Sequence, residues 1–108
     1  MNRGSALKWA AEVEAASRPM NDGSCLRDTE GFCLTGILED FVQNGEWGAA
    51  PFGSYATTEG RIGFVSKSTL ARCKAKTDLA EAQAFYEANR ALPPSALAEW
   101  IRRNGDRL

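Results

Sequence analysis

Histidine is absent from all 108 residues. Imidazole is the usual general base near neutral pH and the commonest metal ligand, so its absence excludes Ser–His and Cys–His nucleophile pairs and histidine-ligated metals. Catalysis would have to come from carboxylates, lysine or a bare thiol. Cysteine is scarce too. Cys25, Cys33 and Cys73 are an odd set with no CxxC pair, which argues against a disulfide framework and a four-ligand zinc site, and suits a reduced, cytoplasmic compartment. No run approaches the ~18–20 apolar residues of a membrane span, and polar residues interrupt the N-terminal stretch every few positions, unlike a secretory signal. Thirteen Lys and Arg against fourteen Asp and Glu leave a formal charge of −1, so no overall field draws nucleic acid. The expectation is a non-enzymatic protein with no metal, no cofactor, no membrane partner and no direct contact with nucleic acid.

Apolar residues make up 44% of the chain and charged residues 25%, as in soluble globular domains, and the length suits one hydrophobic core. Residues 5–17 read as a helix capped by Ser5, with a narrow stripe through Ala6, Trp9, Ala10 and Val13 that places it on the body of the domain, not at its centre. The strongest periodicity follows: Leu34, Ile37, Leu38, Phe41 and Val42 share one face of a helix over 30–43, capped by Thr29 and closed by Asn44-Gly45. Burying those five side chains is worth roughly 1.5–3 kcal/mol each before ordering entropy, which makes this helix the core. Gly36 inside it implies close approach of another backbone.

Glycines and Pro51 exclude a long helix between 45 and 63, and the spacing predicts a β-hairpin over 54–66 around Glu59-Gly60. Short helices are expected over 68–76 and 78–90, the second capped by Asp78 with Glu81 and facing inward through Leu79, Ala82, Phe85, Tyr86 and Asn89. A closing helix follows Pro93-Pro94 with Leu97, Trp100 and Ile101 inward, after which residues 106–108 fray. The fold class is α+β, one domain of three to four helices around the 30–43 helix plus a small antiparallel hairpin.

The residues Leu26-Arg27, Gly31-Phe32-Cys33, Gly36-Ile37-Leu38 and Asp40, then Trp47, Leu92-Pro93-Pro94 and Trp100-Ile101, cover about a third of the chain. This pattern resembles a group of small phage and prophage proteins carrying an LR…GFCCLGVLCD-like segment and a closing LPPxxxxW helix. The sequence departs from that pattern at Leu34 and Glu39, where many members have cysteine, which weakens any metal or redox role that a multi-cysteine version suggests. The resemblance implies a phage-type gene context and not a reaction.

Charge is segregated within the near-neutral total. Asp28, Glu30, Glu39, Asp40 and Glu46 occur with no intervening base, and Arg61, Lys67, Arg72, Lys74 and Lys76 with no intervening acid. The acidic run reads as a solvated helix face, with Asp40 positioned to bond Arg27, or as a carboxylate surface that meets a basic groove. The basic run, with Tyr55 and Phe64, either binds phosphate or pairs with the acidic run inside the monomer or across a homodimer. Trp47, among glycines after a helix end, is either a plug under a loop or an exposed anchor; with Phe52 and Tyr55 it would then form a protein-binding hot spot. Cys33 near a helix start has a structural reading as a buried small hydrophobe and a reactive one as a dipole-activated thiol.

Two functions follow as expectations. The first is a phage-encoded protein that binds and inhibits a host protein or ribonucleoprotein complex, in the manner of anti-CRISPR proteins, by occlusion or charge mimicry through Glu39, Asp40, Glu46, Trp47, Phe52 and Tyr55. The second is a binder that sequesters a nucleotide signal with Arg61, Lys67, Arg72 and Lys74.

Overall fold

The computed structural model describes residues 1–108. Five helices, α1 (Arg3–Glu14), α2 (Leu34–Val42), α3 (Lys67–Arg72), α4 (Ala80–Ala88) and α5 (Pro94–Asn104), surround one core, and two antiparallel two-stranded sheets edge it. β1 (Arg27–Asp28) pairs with β2 (Gly31–Phe32), and β3 (Gly48–Ala49) pairs with β4 (Tyr55–Ala56) across a 3-10 turn at Pro51–Gly53. The class is α+β, as the sequence predicts.

α2 is the central helix, but it begins at Leu34, where its periodic stripe begins, and not at residue 30 after a Thr29 cap. Cys33 caps it, its sulfur accepting the Gly36 N–H at 3.3 Å. Residues 27–32 form a hairpin because Asp28 Oδ1 takes the N–H groups of Glu30 at 2.9 Å and Gly31 at 3.2 Å, closing a turn where the helix was expected to start. Phe32 N–H donates to Pro19 O at 3.0 Å, and Asn21 N–H donates to Phe32 O at 3.0 Å, so this backbone is already committed to an extended neighbour. At the other end Asn44 and Gly45 adopt φ of 55° and 73°, and Gly45 N–H donates to Asp40 O at 2.8 Å, the expected left-handed closure. Leu34, Ile37 and Leu38 are buried, whereas Phe41 and Val42 are half-buried.

α1 is capped by Asn2, whose side chain accepts the Ser5 N–H, and not by Ser5 itself. It lies along α5 and belongs to the core: Trp9 and Ala10 are wholly buried, and Trp9 Nε1 donates to Leu34 O at 2.9 Å. The helix stops at Glu14, short of the expected position 17, because Ala16 turns left-handed at φ 52°.

The hairpin over 54–66 does not form. Thr57 Oγ1 accepts the N–H of Glu59 at 3.3 Å and of Arg61 at 3.1 Å, curling the chain where the second strand would begin, and β4 pairs back to β3 instead. The Ile62 carbonyl serves Leu26 N–H at 3.0 Å. In α4 the Asp78 side chain bonds Ala80 N–H, while Glu81 pairs with Arg107 instead of closing a capping box. Leu108 does not fray: its side chain is buried, and its carbonyl oxygen accepts the N–H groups of Lys76 and Thr77.

Tyr86 ties α4 to the irregular segment before α2. Its hydroxyl donates to Asn21 O at 2.6 Å, and the Asn21 amide donates to Cys25 O and Gly31 O at 3.0 and 3.2 Å. Tyr86→Phe orphans a buried carbonyl and is expected to cost about 1–2 kcal/mol in denaturant unfolding. Burial pushes the phenol from 10.0 up to about 12. The neutral form is therefore favoured in the fold, so this contribution is complete below pH 10.0 and disappears as the pH climbs toward about 12. Tyr86→Phe removes that part of the alkaline slope; an unchanged slope would contradict the assignment.

Candidate interaction surface

The six residues expected to meet a partner separate into distinct environments. Glu39 is wholly buried between α2 and the start of α3, where its Oε1 accepts the Ser66 N–H at 2.9 Å and the Ser66 hydroxyl at 3.1 Å. Beside it Gln43 Nε2 donates to Thr69 Oγ1 at 2.9 Å, and Glu39 Oε2 has no partner. Glu39 is thus a core residue and cannot touch another molecule, contrary to the surface role its charge suggested. The physical reason is that α2 is covered on more than one face: every residue from Leu34 to Glu39 is buried.

Asp40 is also spent internally. Oδ2 accepts from Arg18 Nε at 2.7 Å and Oδ1 from Trp47 Nε1 at 2.7 Å, so its cation is Arg18 and not Arg27. Trp47 is half-buried and edge-on to Phe32, with ring centres 6.2 Å apart, which makes it the plug of the two readings. Tyr55 is half-buried beneath the Arg27 guanidinium at 4.1 Å. Of the six, Glu46 and Phe52 stand free. The Phe52 ring lies entirely in solvent on the Pro51–Gly53 turn, with a left-handed backbone at φ 59° and ψ 35°.

Trp47 and Tyr55 meet at Arg27, next to the turn that carries Phe52. The β3–β4 hairpin carries Phe52 at its tip and Tyr55 where β4 begins, and the Arg27 guanidinium also lies 5.0 Å from the Phe32 ring and 5.8 Å from the Trp47 ring. The sequence offers Arg27 only as a partner for Asp40. Its three rings come from positions 32, 47 and 55, so no local spacing signals the cluster.

The basic run has its own partners. Arg61 stacks over Phe64 at 5.7 Å and donates to Val65 O at 3.1 Å, while Arg72 donates to Val42 O at 3.0 Å and caps the C-terminus of α2. Lys67 and Lys74 are exposed, the latter left-handed at φ 53°. No ion pair joins this run to the acidic one; the ion pairs are formed by Arg3, Arg18, Arg102, Arg103 and Arg107. Internal pairing of the two runs is therefore absent.

All three thiols are buried, and desolvation pushes each one's pKa up. At Cys33 that cost outweighs the hydrogen bonds from Thr35 and Gly36, so its position at the start of α2 yields a cap and not a thiolate. No cavity opens in the surface, no group of three thiols or carboxylates gathers as a metal-binding set, and no helix is long and apolar enough to cross a membrane. Comparison with family models, curated protein sequences and solved structures finds no match to this chain.

Proposed function

We propose that the chain is a small inhibitory binding protein that occludes a host protein or ribonucleoprotein through the surface built on the β3–β4 hairpin. The observation that carries this reading is Phe52. A bulky side chain at positive φ is held in a region that L residues avoid at a cost of roughly 1–2 kcal/mol, and its ring gains no burial in return. Strain retained at an exposed aromatic is repaid when a partner covers the ring, worth roughly 1.5–3 kcal/mol. Half-buried Trp47 and Tyr55, joined through the Arg27 guanidinium, supply the further aromatic residues typical of binding hot spots.

Occlusion fits better than charge mimicry, because Glu39 is buried and Asp40 is paired, leaving Glu46 alone of the three acids. The phage-type context implied by the Leu26–Asp40 and Leu92–Ile101 motifs makes a defence component the target class. The nucleotide-sequestering alternative has the unpaired Lys67 and Lys74 in its favour, but no concave site to enclose a small ligand.

Capture from bacterial host lysate with tagged protein tests the reading. Wild type is expected to retain one stoichiometric protein or ribonucleoprotein. Phe52→Ala should weaken that capture about tenfold or more at unchanged Tm, as loss of a hot-spot anchor does, whereas Lys67→Gln with Lys74→Gln should leave it intact. A bound nucleotide without a macromolecule, or capture indifferent to Phe52, would overturn it.

A further inference from the structure

We propose that Arg27 is the anion-reading centre of this surface and takes a carboxylate side chain of the partner protein, an inference that rests on the binding role given to the Phe52 hairpin. Arg27 is the only Lys or Arg between Arg18 and Arg61. Its guanidinium is held among three rings, 4.1 Å from Tyr55, 5.0 Å from Phe32 and 5.8 Å from Trp47. Stacking of this kind covers the faces of the planar group and leaves its N–H edge to find acceptors. Arg18, Arg61 and Arg72 each donate to a protein oxygen, and Arg27 donates to none. Nor does it enter any ion pair.

Two nearby acids, Asp28 and Asp40, are otherwise engaged. Asp28 Oδ1 closes the β1–β2 turn through Glu30 and Gly31, and both Asp40 oxygens are taken by Arg18 and Trp47. Arg27 also lies near the anchor. A Cβ at Gly53 would meet Thr29 Cγ2 at 3.0 Å, so the turn bearing Phe52 leans on the turn that follows Arg27. An apolar anchor and a fixed guanidinium fork on adjacent turns match a partner segment that presents a large apolar side chain and an Asp or Glu. The fork bonds both carboxylate oxygens, and because the rings already fix it little rotamer freedom is lost on binding.

A carboxylate fits better than a nucleic-acid backbone. Phosphodiester recognition uses several free cations along a track. Here Arg18, which shares the Phe32 ring at 6.0 Å, is spent on Glu12 and Asp40. That leaves Arg27 as the unpaired guanidinium over these rings, with exposed Glu30 on the turn after it and exposed Glu46 next to Trp47.

Selection from a random-peptide library on the immobilised protein tests the proposal. Wild type should enrich peptides that pair an Asp or Glu with a large apolar residue. Changing that acid to its amide in the selected peptide, or Arg27→Gln in the protein, should weaken binding about ten- to a hundredfold, as loss of a charge-assisted bidentate bond does. Arg27→Lys should recover only part of it, and Phe52→Ala should weaken binding while keeping the preference for the acid. The peptide's amide variant gives this answer on unmodified protein, so it holds even if Arg27→Gln fails to fold. Peptides enriched without an acid, or affinity unchanged by the amide, overturn the role of Arg27 and leave that of Phe52 standing. Failure to enrich any peptide on wild type overturns both. Displacement of the peptide by a short single-stranded oligonucleotide at low micromolar concentration overturns the carboxylate in favour of phosphate.

Discussion

Gly36→Ala is expected to abolish cooperative folding or lower stability by about 3 kcal/mol or more, beyond the usual cost of overpacking. A Cβ at position 36 would lie 1.9 Å from the Leu26 carbonyl oxygen, 2.8 Å from its carbon and 3.2 Å from its Cα, all of them backbone atoms. Leu26 cannot retreat. Its oxygen accepts Cys33 N–H at 3.0 Å, its N–H donates to Ile62 O at 3.0 Å, and its side chain is wholly buried. The roughly 1 kcal/mol that alanine gains over glycine in helix propensity is too small to compensate. Denaturant unfolding decides the matter: a midpoint close to wild type would mean that the Leu26 and α2 backbones are not in contact.

Glu39 gives the second large effect. Glu39→Ala removes the acceptor for the Ser66 N–H and hydroxyl, both buried, and leaves a gap between α2 and α3; the expected loss is about 2–4 kcal/mol. Glu39→Gln keeps an amide oxygen for Ser66 and should cost less, and Glu39→Lys should not fold, since no buried acid accompanies it. Wild-type stability for Glu39→Ala would contradict this placement. Charge reversal at Glu39 would therefore abolish partner capture by unfolding the protein. Glu46→Lys is the substitution that probes the exposed acid alone.

The residues explain which parts of this fold sequence reasoning reaches. The 34-37-38 stripe, the Asn44-Gly45 stop and the backbone contact at Gly36 are legible because each is a local rule carried by the residue itself. The closing helix is legible too, since Pro94 sits in its first turn and Leu97 and Ile101 face the core. The sheets are not. Whether Thr57 extends a strand or bends the chain depends on its hydroxyl taking two N–H groups, a choice no alternation pattern encodes. Asp28 similarly replaces the first turn of the expected helix with a hairpin turn.

The surface is legible in the same uneven way. Phe52 is named from the sequence only as a companion of an exposed Trp47; it is exposed while Trp47 is the plug, because the left-handed Pro51–Gly53 turn carries its ring into solvent. Charge alone misplaces Glu39, because its burial is decided by α3 packing on α2 from 27 positions away. Arg27 goes unread for a related reason: its three rings converge only once both hairpins have formed.

Site-resolved photocrosslinking in host cells tests the central claim most directly. A photoreactive phenylalanine analogue is placed in turn at Phe52, at Phe64 beside the basic run, and at exposed Leu92 as a control. The predicted result is one host-protein adduct from position 52, lost when Arg27→Gln is added, and none from position 92. An adduct from position 64 alone, or equal labelling at all three positions, would contradict a binding surface on the β3–β4 hairpin.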